Sequence, residues 1–143
     1  MIVTAGALRG EDMEQRRVNP WTWQNQFGFS QAIDVNGAVR VIWCAGQASV
    51  DADGRPVHAG NMAAQVTTAL DNLEAVLKDA GLGLAHVVRL NYYTTDVDGL
   101  FASFGIIAGR LSAAGCQPAS TLLGVNRLAF PELLVEIEAT AMQ

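Results

Sequence analysis

The 143-residue sequence predicts an α+β fold: one mixed β-sheet with two helices packed on a single face, in the order β-β-α-β-α-β-β. Three observations carry this. Apolar residues alternate with a period of two across 87–94 and 133–142, as in strands buried on one side. Two other segments, 62–77 and 101–111, repeat apolar residues at spacings of three and four, as in helices with one buried stripe. Asn36-Gly37 stands between two apolar runs, a strong short-range hairpin signal.

In chain order, residues 1–26 read as an N-terminal extension. Met1 to Leu8 is apolar enough for a short edge strand, and Glu11 to Arg17 is strongly charged. Asn19-Pro20 marks a turn, and Trp21 and Trp23 follow at strand spacing, which puts both indoles on one side as a packed lid or subunit contact. Phe29 to Val35 and Val39 to Ala45 then form the hairpin around Asn36-Gly37. The run from Asp51 to Pro56 is a turn. It lacks the later oxygen ligands of a calcium loop, since Met62 fills the place of the bidentate glutamate. The first helix buries Met62, Val66, Ala69, Leu70, Leu73, Val76 and Leu77 and stops at Gly81. Val87 to Thr94 is a strand. Asp98 is the expected cap of the second helix, with Phe101, Phe104, Ile107, Ala108 and Leu111 as its stripe and Gly115 to Pro118 as its end. Strands at 120–127 and 133–142, joined by a turn around Phe130-Pro131, complete the chain as a single domain over 1–143. Hairpins at both ends and helices between them leave the far side of the sheet bare, with Ile42, Cys44, Leu90 and Leu122 expected there. Burial against further copies would cover it.

Half the residues are apolar, 16% are charged and the net charge is −5, so no broad electrostatic footprint for nucleic acid exists; Arg16-Arg17 is the only basic pair. Cys44 and Cys116 show neither metal-ligand nor disulfide spacing and are expected as reduced thiols. No membrane span and no secretory signal is read, so the expected location is cytoplasmic. No phosphate loop, zinc spacing or dinucleotide fingerprint is present. His58 and His86 have no triad partners nearby in sequence and read as structural or solvent-facing.

In the last strand Val135, Ile137, Ala139 and Ala141 face one way, and Leu134, Glu136, Glu138 and Thr140 the other. The two carboxylates lie about 7 Å apart along the strand and need solvent or a polar cavity. An exposed acidic face and an acid–base site both fit that pattern.

The hairpin end Ala45-Gly46-Gln47, Gln65, the run Ala69-Leu70-Asp71-Asn72-Leu73, Ala80-Gly81, Pro118-Ala119 and the closing Val135-Glu136-Ile137-Glu138-Ala139, in this order and spacing, resemble the RidA/YjgF family over roughly 29–142. The resemblance implies a chorismate-mutase-like subunit and a homotrimer with sites in the clefts between subunits. In active members it implies hydrolysis of reactive imines and enamines to ketones and ammonia with no cofactor. It makes Glu136 the catalytic carboxylate that handles the attacking water. It assigns Ser120, Thr121, Phe29, Gly46, Gln47 and Leu122 to substrate binding, with no metal. Two departures stand out: Ser120 occupies the place of the family's carboxylate-gripping arginine, and Phe29 that of a tyrosine. Arg16-Arg17-Val18 and the Trp- and Pro-bearing segment after it look like the family's arginine-less branches.

Serine and threonine hydroxyls give neutral hydrogen bonds of about 0.5–1.5 kcal/mol, against about 1.5–3 for a charged one, so amino-acid-derived imines are expected to be handled weakly. Arg127 would lie about 23 Å along the strand from Ser120, which leaves a neighbour's Arg40 or Arg89 as the candidate cation. The partners expected are two further copies and a small-molecule substrate, with neither nucleic acid nor membrane. The competing reading is a non-catalytic small-molecule sensor in the same cleft. Some relatives carry ribonuclease or chaperone names; the acidic balance argues against the first, and nothing in the sequence favours the second.

Overall fold

The structure, a computed structural model, describes residues 13–143. The edge strand expected at 1–8 lies outside the described residues. Strands β1 (Glu14–Val18) and β2 (Ala32–Asn36) form a two-stranded sheet. Strands β3 (Val41–Ala48), β4 (Val87–Thr94), β5 (Ala119–Gly124) and β6 (Val135–Met142) form a four-stranded sheet in the order β3-β6-β4-β5. Helices α1 (Met62–Asp79) and α2 (Val97–Ala113) both cover one face of this sheet.

The hydrophobic pattern explains the helices. Val66, Ala69, Leu70, Leu73 and Leu77 of α1 are buried, and Asn61 caps the helix by accepting from Ala64 N at 3.0 Å. Gly81, at φ 78°, supplies the left-handed turn that ends it. In α2 the buried residues are Leu100, Ile107 and Leu111, whereas Phe101 is half exposed. Its cap is Asp96, whose carboxylate accepts from Gly99 N at 2.9 Å, and not Asp98, which lies inside the first turn. Arg110 joins the helices by pairing with Asp71 at 2.7 Å and with Glu74.

Several expectations are overturned, each for a tertiary reason. Asn36-Gly37 makes a bend, with Gly37 at φ 75°, but the strands on its two sides do not pair and no hairpin forms. Instead β2 pairs with β1, and the backbone N–H groups of Val39 and Arg40 both donate to Gln143 O at 2.8 Å, which starts β3 on β6. A local turn signal specifies only a change of direction; the partner strand is chosen by which apolar face fits over the helices. At the other end β5 and β6 are likewise not neighbours. The crossover through α2 makes β5 parallel to β4 at the sheet edge, and 125–134 carries the chain back so that β6 enters antiparallel between β3 and β4. Trp21 and Trp23 do not share a strand: 23–27 is a 3₁₀ helix, and both indoles are exposed.

The faces are also assigned differently. Ile42, Cys44, Leu90 and Leu122, expected on the bare face, pack under the helices with Ile137 and Ala139. The bare face instead carries Trp43, Arg89, Asn91, Tyr93, Thr121, Glu136 and Glu138, so it is largely polar with one indole 79% exposed. Both cysteines are free and buried. Among the described residues no helix is long and apolar enough to cross a membrane.

Candidate functional site

The residues assigned from the sequence fall into two groups on opposite faces of the sheet. In the parallel β4–β5 register Ser120 stands beside Leu90 and Leu122 beside Tyr92, which places both on the helix side. Thr121, beside Asn91, points to the bare side. Ser120 and Leu122 join Phe29 in the wall of a pocket of about 270 Å³ between β5, α2 and the 3₁₀ segment. The segment is tied to the sheet edge where Ser30 N donates to Pro118 O at 3.0 Å and Ser30 Oγ to Gln117 O at 2.6 Å.

The rest of the wall is aromatic. Tyr92 and Phe104 meet edge to face at 5.4 Å between centroids, Phe101 lies 6.3 Å from Phe104, and Phe29 packs against Trp23 at 5.7 Å. Tyr92 is 2% exposed, and burial pushes its phenol well above the ordinary tyrosine range. Ser120 Oγ makes a long contact of 3.4 Å to Pro118 O. The alternation of 87–94 marked Tyr92 as a strand residue, but only the packing of α2 onto β4 reveals it as a pocket wall.

On the bare face, Gly46 and Gln47 lie at a register shift between Cys44 and Gln47 of β3, opposite β6. Glu136 of β6 is half-buried there, and a methyl carbon on Gly46 would sit 1.8 Å from its Oε1. Glycine at 46 therefore makes room for the carboxylate. Among the described residues Glu136 has no ion-pair partner. Gln47 Nε2 donates to Ala45 O at 3.2 Å, within its own strand.

Next to it runs a network that was not assigned from the sequence. Glu138 Oε1 accepts from Tyr93 OH at 2.5 Å and from Asn91 Nδ2 at 3.2 Å. Asn91 Oδ1 accepts from Thr121 N at 3.2 Å, and Thr121 Oγ1 accepts from Arg89 at 2.9 Å. The bond donated by Tyr93 and, after it, that from Asn91 hold the Glu138 carboxyl below the usual carboxylate range, and the same Tyr93–Glu138 bond raises the Tyr93 phenol. The signal in the sequence was the shared parity of Arg89, Asn91 and Tyr93 on one strand and of Glu136 and Glu138 on another. The register that joins them was not readable. Arg89, one of two cations considered for a neighbouring cleft, is engaged with Thr121, and Arg40 donates to Gln143 Oε1 and Ala80 O. Of the basic pair, Arg16 bridges to Asp34 at 2.9 Å and Arg17 donates to Gln117 Oε1 and Gly115 O.

A carboxylate with a depressed folded value stabilises the fold above its unfolded value, and that contribution is lost as pH falls through the folded one. The network on Glu138 is thus complete at neutral pH and opens only in acid. In Tyr93→Phe the Glu138 carboxyl is expected to move up toward the ordinary glutamate value of about 4.3, read by NMR titration of its side-chain carbon. An unmoved titration would show that the phenol is not the cause.

The fold and these two clusters define a class: an α+β subunit with helices on one face of a mixed sheet, a pocket at the edge strand and a polar bare face bearing a carboxylate. The Endoribonuclease L-PSP family model matches residues 23–143. A RutC family protein of Synechocystis is 33% identical over 115 residues, covering 80% of this chain and 85% of that protein. Protein DfrA of Myxococcus xanthus is 34% identical over 114 residues, 80% and 84% of the two chains. The crystal structure of a conserved Rid family protein of unknown function, YyfB from Yersinia pestis, superposes with a TM-score of 0.79 at 38% identity over 90% of this chain and 98% of that one. That of the yjgF gene product of E. coli gives 0.63 at 27% identity over 80% and 87%. This chain belongs to the RidA/YjgF family.

Proposed function

We propose that the protein hydrolyses a reactive imine or enamine to a carbonyl compound and ammonia, without a cofactor, in a cleft between protomers of a homotrimer. The observation that carries this reading is the placement of Glu136: a half-buried carboxylate with a glycine kept clear beside it and, among the described residues, no cation tied to it. Glu138 is the poorer base, because the hydrogen bonds it accepts stabilise its charged form.

The chemistry closes with these groups. Water oxygen adds to the imine carbon while Glu136 takes one of its protons, the C=N electron pair moves to nitrogen, and the carboxylic acid so formed gives that proton to the nitrogen, which leaves Glu136 ionised. The carboxylate then takes the hydroxyl proton of the carbinolamine and passes it to the amino nitrogen; the C=O bond forms as the C–N bond breaks, and ammonia leaves. An enamine enters the same route after protonation at carbon. Within one chain the pocket group and Glu136 lie on opposite sides of the sheet, so they can serve one substrate only if two protomers supply them. That favours a site at a subunit seam.

The test is ammonia release from freshly generated imines, run beside light scattering for the subunit count. Release above the spontaneous rate by an assembled oligomer is expected, and the absence of any acceleration across the panel would reject the reaction. A second reading, a ligand-binding protein without turnover, is favoured by the lack of any charged side chain among the described residues of the pocket wall. It requires a ligand that raises the melting temperature and is recovered unchanged. A ribonuclease role, which the family model's name suggests, is disfavoured by the net charge of −5.

A further inference from the structure

The pocket at the edge strand has a composition that selects its occupant. Five rings, those of Phe27, Phe29, Tyr92, Phe101 and Phe104, and the side chain of Leu122 make up nearly all of its wall. Its polar side chains are Ser120 and Tyr92, and no charged side chain among the described residues lines it. A bound carboxylate would have to shed its hydration shell against this wall with only hydroxyls to replace it, which is strongly unfavourable. A flat ring loses little and gains edge-to-face contacts of the kind already present between Tyr92 and Phe104. The volume is adequate: an apolar cavity of about 150 Å³ holds a benzene-sized ring, and this one is about 270 Å³, leaving space for a short arm. A phenol shielded from water normally finds a hydrogen-bond partner, and Tyr92, 2% exposed, lines this pocket.

We propose that this pocket takes a neutral aromatic imine, or the aryl ketone it yields, with the ring among the phenylalanines and the C=N or C=O end accepting from the hydroxyls of Ser120 and Tyr92, and that it discriminates against 2-imino carboxylates. As a statement about turnover this rests on the hydrolase reading above; as a statement about binding it does not.

Binding to the full chain is measured by titration calorimetry with three stable carbonyl probes: acetophenone, benzoylformate, which adds a carboxylate to the same ring and carbonyl, and acetone, which lacks the ring. Acetophenone is expected to bind at least about tenfold more tightly than either of the others. Phe101→Ala, at a half-exposed position, is expected to weaken acetophenone about fivefold. Ser120→Arg is expected to reverse the order of acetophenone and benzoylformate. Benzoylformate binding as tightly as acetophenone in the unmodified protein, or acetone matching it, overturns the proposal. If ammonia release from imines then persists, the hydrolase reading survives that failure. If instead acetophenone binds selectively and no imine is turned over, the pocket assignment stands and the reaction is rejected.

Discussion

Glu136→Gln is expected to lower imine turnover by about 10²- to 10⁴-fold, the usual contribution of a positioned general base. Glutamine keeps the length and planarity of the side chain, so the fit against Gly46 is retained. What is lost is the capacity to take a proton from water. Because Glu136 has no ion-pair partner among the described residues, no cation is orphaned by the change. The melting temperature and the subunit count by light scattering should therefore match the parent. Undiminished turnover with an intact assembly would remove Glu136 from the reaction and turn attention to the second carboxylate of the strand, Glu138.

A second large effect is expected on stability, from Gln65→Leu. Gln65 is fully buried in α1 and makes three hydrogen bonds to backbone: Nε2 donates to His58 O at 3.1 Å and to Glu132 O at 2.8 Å, and Oε1 accepts from Leu134 N at 2.8 Å. Leucine fills nearly the same volume but leaves Glu132 O and Leu134 N without that partner. An unpaired buried polar group costs about 1–3 kcal/mol, so a loss of about 3 kcal/mol and roughly 10 °C in melting temperature is expected by thermal denaturation. A shift under about 2 °C would mean that other groups take over these bonds. Two of the residues held by Gln65, Glu132 and Leu134, lie just before β6. The same anchor therefore sets where β6 enters the sheet, and with it the position of Glu136.

Much of the secondary structure was legible because burial on one side imposes a period. Val87–Thr94 was readable as a strand, and from Arg89 to Tyr93 the alternation gave the right faces; at its start a register irregularity puts Val87 in the core where the period pointed to Val88, and at its end the polar Thr94 is buried. The alternation in 135–141 likewise placed Val135, Ile137, Ala139 and Ala141 inside and Glu136 and Glu138 outside. Long-range choices were not legible. Asn36-Gly37 announced a turn, yet β2 and β3 part company there, because pairing depends on matching faces contributed from 100 residues further along. Cys44 and Leu90 could be recognised as apolar strand residues, but which side of the sheet the helices would occupy is set by the connections.

The candidate site divides in the same way. The family resemblance assigned Ser120, Thr121, Leu122, Phe29, Gly46, Gln47 and Glu136 to the candidate site, and the sequence itself shows serine, not arginine, at 120. Their separation into an aromatic pocket on one face and a carboxylate beside a bulge on the other was not. Nor was the link from Arg89 through Thr121 and Asn91 to Glu138. Sequence by itself determined which residues alternate, where the helices run, that the chain is acidic and that the edge strand begins without a cation. Tertiary structure alone decided the strand order, the covered face and the company each side chain keeps. Periodicity is a local property of the backbone, whereas register and neighbourhood come from packing distant segments into one core.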